Sequence, residues 1–439
     1  MSASLPLRQP QPPQYVSIAP LLRALSSPPP HSEHHPAYTI SSSDIALAFS
    51  RTFENLLSPT QLAALLTLLH STGRDRHPDV IAKCAASMRD AAIQVDAKVL
   101  APVLGKRKRL LAKGGYQGGL CDIVGTGGDM HATFNISTTS SIIASGLLAM
   151  AKHGNRAQTS MSGSADVLNA IQPKAPNLEA LTADNLPQMY ERGNYAFLYA
   201  PNFHPGMRYA ATVRRELGLR TIFNLMGPLA NPVDDLIEVR VIGVAYQELG
   251  AVFAKALQLS GKSKALVVCG QEDLDEISCA GPTNCWFVRK PSAKTGSAEH
   301  EDTDESDYYS SNEAEPPAEA EIETFTITPE DFGLPRHPLS QVGGGKLPKE
   351  NATVLMKLVS GEIEPDHPIL HFVLLNVAAL LVVSGVCDTD ECESGPVIKE
   401  RGPGGGRWKE GVKKARWCIE SGRALAELQK FIDFTTTSK

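Results

Sequence analysis

Apolar residues recur at three- and four-residue spacing over Asp79–Ala92, and Ser43–Arg51 and Ser58–Ser71 each open on a serine able to cap a helix. Residues 38–112 therefore read as a small helical domain. The pattern changes at Leu120–Val124 (LCDIV), a short β-prone run that passes directly into Gly125-Thr-Gly-Gly-Asp129. After a polar turn comes an Ala/Ile/Leu-rich stretch, 137–152, which reads as a helix, so the unit is strand, glycine loop, helix. Further short apolar runs stand at Ala196–Tyr199, Val239–Ala245 and Ala265–Cys269, each followed by helical or loop sequence. This alternation predicts an α/β fold in which helices flank a central sheet, with the helical domain packed on it. Two later segments complete the pattern: the apolar run Ile369–Val386 and a final helix over Lys409–Phe431. The apolar run is long enough for a membrane span, but His371, Asn376 and Ser384 interrupt it, which predicts a buried core helix instead.

Composition refines this picture locally. The chain has 439 residues, 42% hydrophobic and 21% charged, enough to bury one large core or two smaller ones. Its net charge of −6 argues against a generic binder of nucleic acid or anionic membrane. Eleven carboxylates crowd between Glu299 and Glu323 without a Lys or Arg among them, leaving 37 acidic against 42 basic residues elsewhere. Residues 291–323 thus read as a disordered acidic insertion, residues 1–37 as a disordered Pro/Ser-rich terminus, and 388–407 as a Gly/Pro-rich insertion. The α/β domain then spans 113–435. Eight cysteines without a C-x-x-C pair suit reduced thiols, and no secretory signal is visible, which leads to the expectation of a cytoplasmic protein.

Four stretches carry candidate chemistry. In VGTGGD, Gly125, Gly127 and Gly128 allow a tight turn whose N–H groups can face phosphate oxygens. Asn135, Ser137 and Thr138 (NIST) open the following helix and add short donors, so the group suits a pyrophosphate; the alternative is a capped strand-to-helix turn. Neither a Walker loop nor a dinucleotide fingerprint is present. Lys152-His-Gly-Asn-Arg156, beside the polar run 159–166, offers charge and directional donors to a sugar phosphate or small carboxylate, or else forms a solvated helix end. Asp275-Glu276, in CGQEDLDEIS after a strand, can share a divalent cation, or be a solvated acidic loop. Arg214 and Arg215 in V-R-R-E can grip a carboxylate through the guanidinium fork, or pair on a surface helix, and the later Gly227–Pro232 reads as a structural turn.

Taken in order, GTGGD, NIST, KHGNR, GSADVL, N-F-H-P with V-R-R-E, FNLMGPLANP and DLDE resemble the anthranilate phosphoribosyltransferase family of tryptophan biosynthesis, over about residues 40–290 and 323–435. The resemblance implies a small helical domain on a larger α/β domain with a central mixed sheet, and a homodimer joined through the helical domains. It implies a pentosyltransferase that moves the phosphoribosyl group of phosphoribosyl pyrophosphate to the amine of anthranilate. Carried over by motif, Gly125, Thr126, Gly127, Gly128 and Asp129 would cradle the donor, with Asn135, Ser137, Thr138 and Lys152 completing that site and Ser164 extending it. Ser137, Asp275 and Glu276 would hold Mg2+. Asn155 and Arg214 would hold anthranilate, His153 would line its channel, and Arg215 is the less favoured carboxylate partner. No general base is assigned, and an anthranilate synthase subunit is a possible partner. Two departures stand out: Gln172-Pro173 replaces a usual glycine, and Met207 a position often aromatic. A pyrimidine nucleoside phosphorylase and a non-catalytic nucleic-acid-binding relative are the alternatives. The basic run Lys106–Arg109 fits the latter only weakly and reads as an exposed helix end.

Overall fold

Among the described residues seven strands form one sheet: β1 Leu120–Gly125, β2 Ala149–Gly154, β3 Tyr195–Tyr199, β4 Ile237–Gly243, β5 Lys264–Gly270, β6 Thr283–Arg289 and β7 Glu321–Ile327. The computed structural model describes residues 14–26, 40–157, 162–291, 319–345, 347–390 and 393–437. The order across the sheet is β3-β2-β1-β4-β5-β6-β7, parallel from β3 to β5 and antiparallel at β6 and β7, so the expected mixed sheet is present.

Alternation along the strands separates two cores. Val239 and Val241 of β4, with Leu266 and Val268 of β5, face the core that contains helix Pro368–Ser384. Ile242, Ala265 and Val267 turn to the opposite face and meet the N-terminal helices. Burial on both faces is what makes the parallel strands read as continuous apolar runs. The same property led the expected helix over 137–152 astray: the helix is Ile136–Ala144, and the remaining apolar residues form β2, because a doubly buried strand carries no alternation to distinguish it.

Helix Pro368–Ser384 is buried nearly all round, which accounts for its predominantly apolar sequence. Among the described residues no helix is long and apolar enough to cross a membrane. Asn376 bonds both the N–H (3.1 Å) and the C=O (3.3 Å) of Ile277, tying the core helix to the loop that carries Asp275 and Glu276.

The N-terminal helices Ser42–Phe53, Pro59–Ser71 and Pro78–Asp90 pack through Phe49, Leu65, Leu66 and Ile81 with Val213 and Phe223, residues of the later helices Arg208–Leu217 and Ile222–Met226. Helix Ala97–Leu111 instead buries Leu100, Val103 and Leu104 in the α/β core. By packing, the helical layer therefore ends before residue 97 and not at 112. Within the basic run, Arg107 bonds Tyr190 O, Glu191 O and Asn194 Oδ1, which is a structural use.

Three further expectations change. Residues 14–26 lie in the terminus expected to be disordered, yet Ala19–Leu25 is a helix: Ile18, Leu21, Leu22 and Leu25 share a face, and Val16 N–H bonds Leu56 O at 2.8 Å. Of the acidic insertion, 292–318 lie outside the described residues, while Glu321–Ile327 is β7, recruited by antiparallel pairing with β6. The final helix is two, Trp408–Glu420 and Arg423–Thr437, parted at Gly422, whose φ is +72°. The described part of 388–407 is ordered, with Trp408 Nε1–H donating to Pro403 O and its ring packed on Phe325 and Phe332.

A buried cluster clamps the layers together. Asp234 meets Lys262 Nζ at 2.7 Å, Arg89 Nε of helix Pro78–Asp90 at 3.5 Å, and Arg240 of β4. Burial pushes the Asp234 carboxyl up, but Arg240, Arg89 and Lys262 together pull it further the other way, to about 2. A carboxyl depressed in the fold stabilises above its unfolded pKa, and that contribution, about 2 kcal/mol, is lost as pH falls from about 4 through about 2. Asp234→Ala, which strands three cations, should cost about 3–5 kcal/mol in urea denaturation at pH 7; a cost below about 1 kcal/mol would show the clamp to be dispensable.

Candidate active site

The strand order runs outward from β1 and β4 in opposite directions, so the sheet has its topological switch point between them, the place where open α/β sheets hold ligands beyond the carboxyl ends of their strands. The glycine loop leaves β1 there. Gly125 and Gly243 end β1 and β4 and are register partners. A Cβ on Gly125 would strike the Asp275 carboxylate, and one on Gly243 would strike the Asp275 backbone. Glycine at both positions thus makes room for the acidic loop to cross the strand ends.

The loop is held in detail. Thr126 N–H bonds Gly243 O at 2.9 Å, and the Thr126 hydroxyl accepts from Ala245 N–H at 3.1 Å. Gly127 and Gly128 adopt φ of +68° and +80°, left-handed conformations that a side chain would strain. Gly127 N–H donates to Asp275 Oδ2 at 2.6 Å, and Asp275 N–H reaches Asp129 Oδ2 at 3.4 Å.

Asp129, Asp275 and Glu276 therefore crowd together. Burial and then the Asp129 charge raise the Asp275 carboxyl to about 7, against the pull of Gly127 N–H and Arg220. Glu276 is raised well above the carboxylate range by burial, Asp275 and Asp129, and its Oε2 is buried without a hydrogen-bond partner. A divalent cation would relieve both conditions, so the residues fit one. No set of three or more His, Cys, Asp or Glu side chains converges as a metal cage among the described residues. A cation here would keep waters and take substrate oxygens as ligands, the habit of magnesium.

Helix Ile136–Ala144 starts beside this loop, with Asn135 at its N-cap and Ser137 and Thr138 in its first turn. Asn135 Nδ2–H bonds Ser162 O at 2.9 Å, and Thr138 Oγ1 bonds Ser164 Oγ at 2.8 Å, which brings Ser164 against the NIST turn. Lys152 and His153 lie near the end of β2, so the expected helix terminus does not exist there. Lys152 is 1% exposed, with Nζ donating to His153 O at 3.0 Å. Burial lowers its pKa, and Asp122 of β1 opposes that shift. Asn231 Nδ2–H in turn bonds Asp122 Oδ2 and Ala151 O, both at 2.9 Å. His153 is held neutral by burial, His204 and Lys152; its ring lies 5.2 Å from that of His204. Asn155 is exposed, just beyond β2, and accepts from Arg156 N–H.

On helix Arg208–Leu217 the two arginines part company. Arg215 is exposed, whereas Arg214 is partly buried, its guanidinium 5.0 Å from the Phe223 ring, and burial lowers its pKa. Met207 packs on the helical core, and Gln172-Pro173 is a cis peptide.

Asp122, Asn231, Gly243 and Arg220 do not stand out in the sequence. The one signal it offers is a charged Asp122 inside an otherwise apolar strand, which needs compensation. Asn231 supplies it, so the segment read as a turn also carries a buried polar link.

This is a glycosyl-transfer architecture. The family model described as "Glycosyl transferase family, a/b domain" matches residues 117–308 and 293–425, and the helical bundle domain of the same family matches 37–92. The anthranilate phosphoribosyltransferase of Schizosaccharomyces pombe is 38% identical over 85% of this chain and 87% of its own length. That of Saccharomyces cerevisiae is 32% identical over 94% of this chain and 96% of its own length. Its structure in complex with PRPP and Mg superposes with a TM-score of 0.71 at 28% identity, covering 96% of this chain and 99% of that one. The Thermus thermophilus enzyme gives 0.65 at 30% identity, over 91% and 96%. The chain belongs to the anthranilate phosphoribosyltransferase family.

A carboxyl whose folded pKa is raised favours the fold most below its unfolded pKa, and that favour is lost as pH rises from about 4 through about 7. In chelator-treated protein, Asp275→Asn should therefore melt higher than the parent at pH 8, with a smaller difference at pH 4. An equal or lower melting temperature at pH 8 would show that the carboxylate is not strained.

Proposed function

We propose that the chain transfers the phosphoribosyl group from 5-phosphoribosyl 1-pyrophosphate to the amine of anthranilate, giving N-(5-phosphoribosyl)anthranilate and pyrophosphate in tryptophan biosynthesis. The observation that carries this reading is the half-buried carboxylate pair Asp275-Glu276 lying across the glycine loop at the switch point, in a chain of this family. Structures of the yeast relative with PRPP and Mg and with 4-fluoroanthranilate support it.

In this reading Gly125, Thr126, Gly127, Gly128 and Asp129 cradle the donor, with Asn135, Ser137, Thr138, Lys152 and Ser164. Ser137, Asp275 and Glu276 hold Mg2+, which when bound supplies positive charge to the departing pyrophosphate. Asn155 and Arg214 hold anthranilate, and His153 lines its approach. The C1–N bond forms as the C1–O bond to pyrophosphate breaks, and the nitrogen then releases a proton. An aromatic amine is already neutral at pH 7, so no side chain need deprotonate it before attack. The chain's contribution is alignment of two reactants and stabilisation of the leaving group. Lys152 is suited to this: it is buried in β2 beside Asp122, and although burial raises the Asp122 carboxyl as it lowers the lysine, each charge opposes the other's loss. A division into a helical and an α/β domain, a homodimer through the helical layer, an anthranilate synthase partner and a cytoplasmic location belong to the same proposal.

The decisive assay follows loss of anthranilate fluorescence on addition of phosphoribosyl pyrophosphate, with and without magnesium. Magnesium-dependent loss with matching pyrophosphate release is expected; none from folded protein would overturn the reading. The double substitution Asp275→Asn, Glu276→Gln should abolish magnesium-dependent turnover, and retained turnover would remove that metal assignment. Arg214→Ala should raise the anthranilate KM by the value of a lost charged hydrogen bond, about 1.5–3 kcal/mol or roughly ten- to hundredfold, and an unchanged KM would place the carboxylate elsewhere.

A further inference from the structure

Arg220 stands outside every motif that defined the site. Helix Arg208–Leu217 ends at Gly218, with φ +62°, and Thr221 starts the next helix, its N–H bonded to Asn224 Oδ1 at 3.0 Å. Arg220 is thus fixed between two helix ends, and its side chain lies along the glycine loop. Its NH2 donates to Gly127 O at 2.8 Å. Its guanidinium occupies the space where a Cβ of Gly128 would stand. Gly127 is consequently held from both sides, its N–H by Asp275 and its C=O by Arg220.

Packing does not force this placement. Arg220, Thr221, Asn224 and Tyr246 also line a cavity of about 370 Å³, so the side chain has room to leave the loop. What selects its position is the carbonyl of Gly127 together with attraction to the neighbouring carboxylate of Asp275. A planar fork is suited to both tasks, since one nitrogen can bond a carbonyl while the other fills the space left by a residue without a side chain.

We infer that Arg220 is a positioning residue for the phosphoribosyl donor: it fixes the Gly127–Gly128 turn in its open, left-handed form and so sets affinity for the donor and not for the aromatic acceptor. The inference rests on the transferase reading. Arg220→Gln should raise the KM for phosphoribosyl pyrophosphate at least tenfold, leave the anthranilate KM within twofold, and weaken donor binding by calorimetry in magnesium by a similar factor. Arg220→Lys keeps the charge but not the fork, and should stay within threefold of Arg220→Gln. Restoration of the parent KM by lysine, or equal movement of both KM values, would overturn the proposal. If the parent chain binds donor without turnover and Arg220→Gln weakens that binding, the transferase reading falls while Arg220 keeps its role; a parent chain that neither binds nor turns over removes both.

Discussion

The arrangement depends on one steric constraint: the backbone of Asp275 lies over the paired ends of β1 and β4, where only glycines leave space. That crossing puts carboxylates within reach of the glycine loop, and it is not self-supporting, because three acidic side chains repel one another there. The loop stays in place through interactions made elsewhere. Asn376, projecting from the buried helix Pro368–Ser384, holds Ile277 by both backbone groups, so the hydrophobic core underwrites the position of charges that electrostatics alone would disperse. Local destabilisation of this kind persists where surrounding structure over-determines it.

Around that loop the charges are sorted by depth. Lys152 is sunk into the sheet and answered by Asp122, which Asn231 in turn anchors to Ala151 O. His153 and His204 face each other in a buried place where protonation is disfavoured for both. Neutral imidazoles provide an uncharged wall, against which an aromatic ring loses little hydration energy. Arg214, half-buried on Phe223, lies on the helical side, and its guanidinium keeps directional donors with less surrounding water than Arg215 has. Anionic groups of two reactants would accordingly meet different cations, which favours one orientation over its reverse.

Much of this is legible in the chain. Strands β1, β3, β4 and β5 announce themselves as short apolar runs, and the motifs deliver the glycine loop, the NIST turn and the acidic pair because each concentrates residue types with a local physical reason. What stays hidden depends on distance in sequence. Strand β2 is indistinguishable from helix when both of its faces are buried. Strand β7 lies in an acidic context and is recognisable only through pairing with β6. Helix Ala97–Leu111 shows its partner only once the sheet is in place. Gly243 and Arg220 carry no motif of their own, and their meaning comes from Asp275 and Gly128, 32 and 92 residues away by their numbering.

The five-residue loop shows why a motif need not have a single cause. Gly125 is small because another segment passes over it, a packing requirement that would hold with no ligand at all. Thr126 spends its hydroxyl on Ala245 N–H and stitches the loop to the strand beside it. Gly127 and Gly128 are set by backbone sign, and Gly128 also by the guanidinium that covers it. Asp129 bonds His131 N–H with one oxygen and faces Asp275 N–H with the other. Alanine at these positions would therefore fail in different ways: a clash with a carboxylate at 125, a lost inter-strand tie at 126, strain at 127, and strain with displacement of Arg220 at 128. The loop keeps its shape as a unit only because requirements of packing, strand connection, chirality and charge coincide in five consecutive residues, and that coincidence is what makes so short a string informative in the bare sequence.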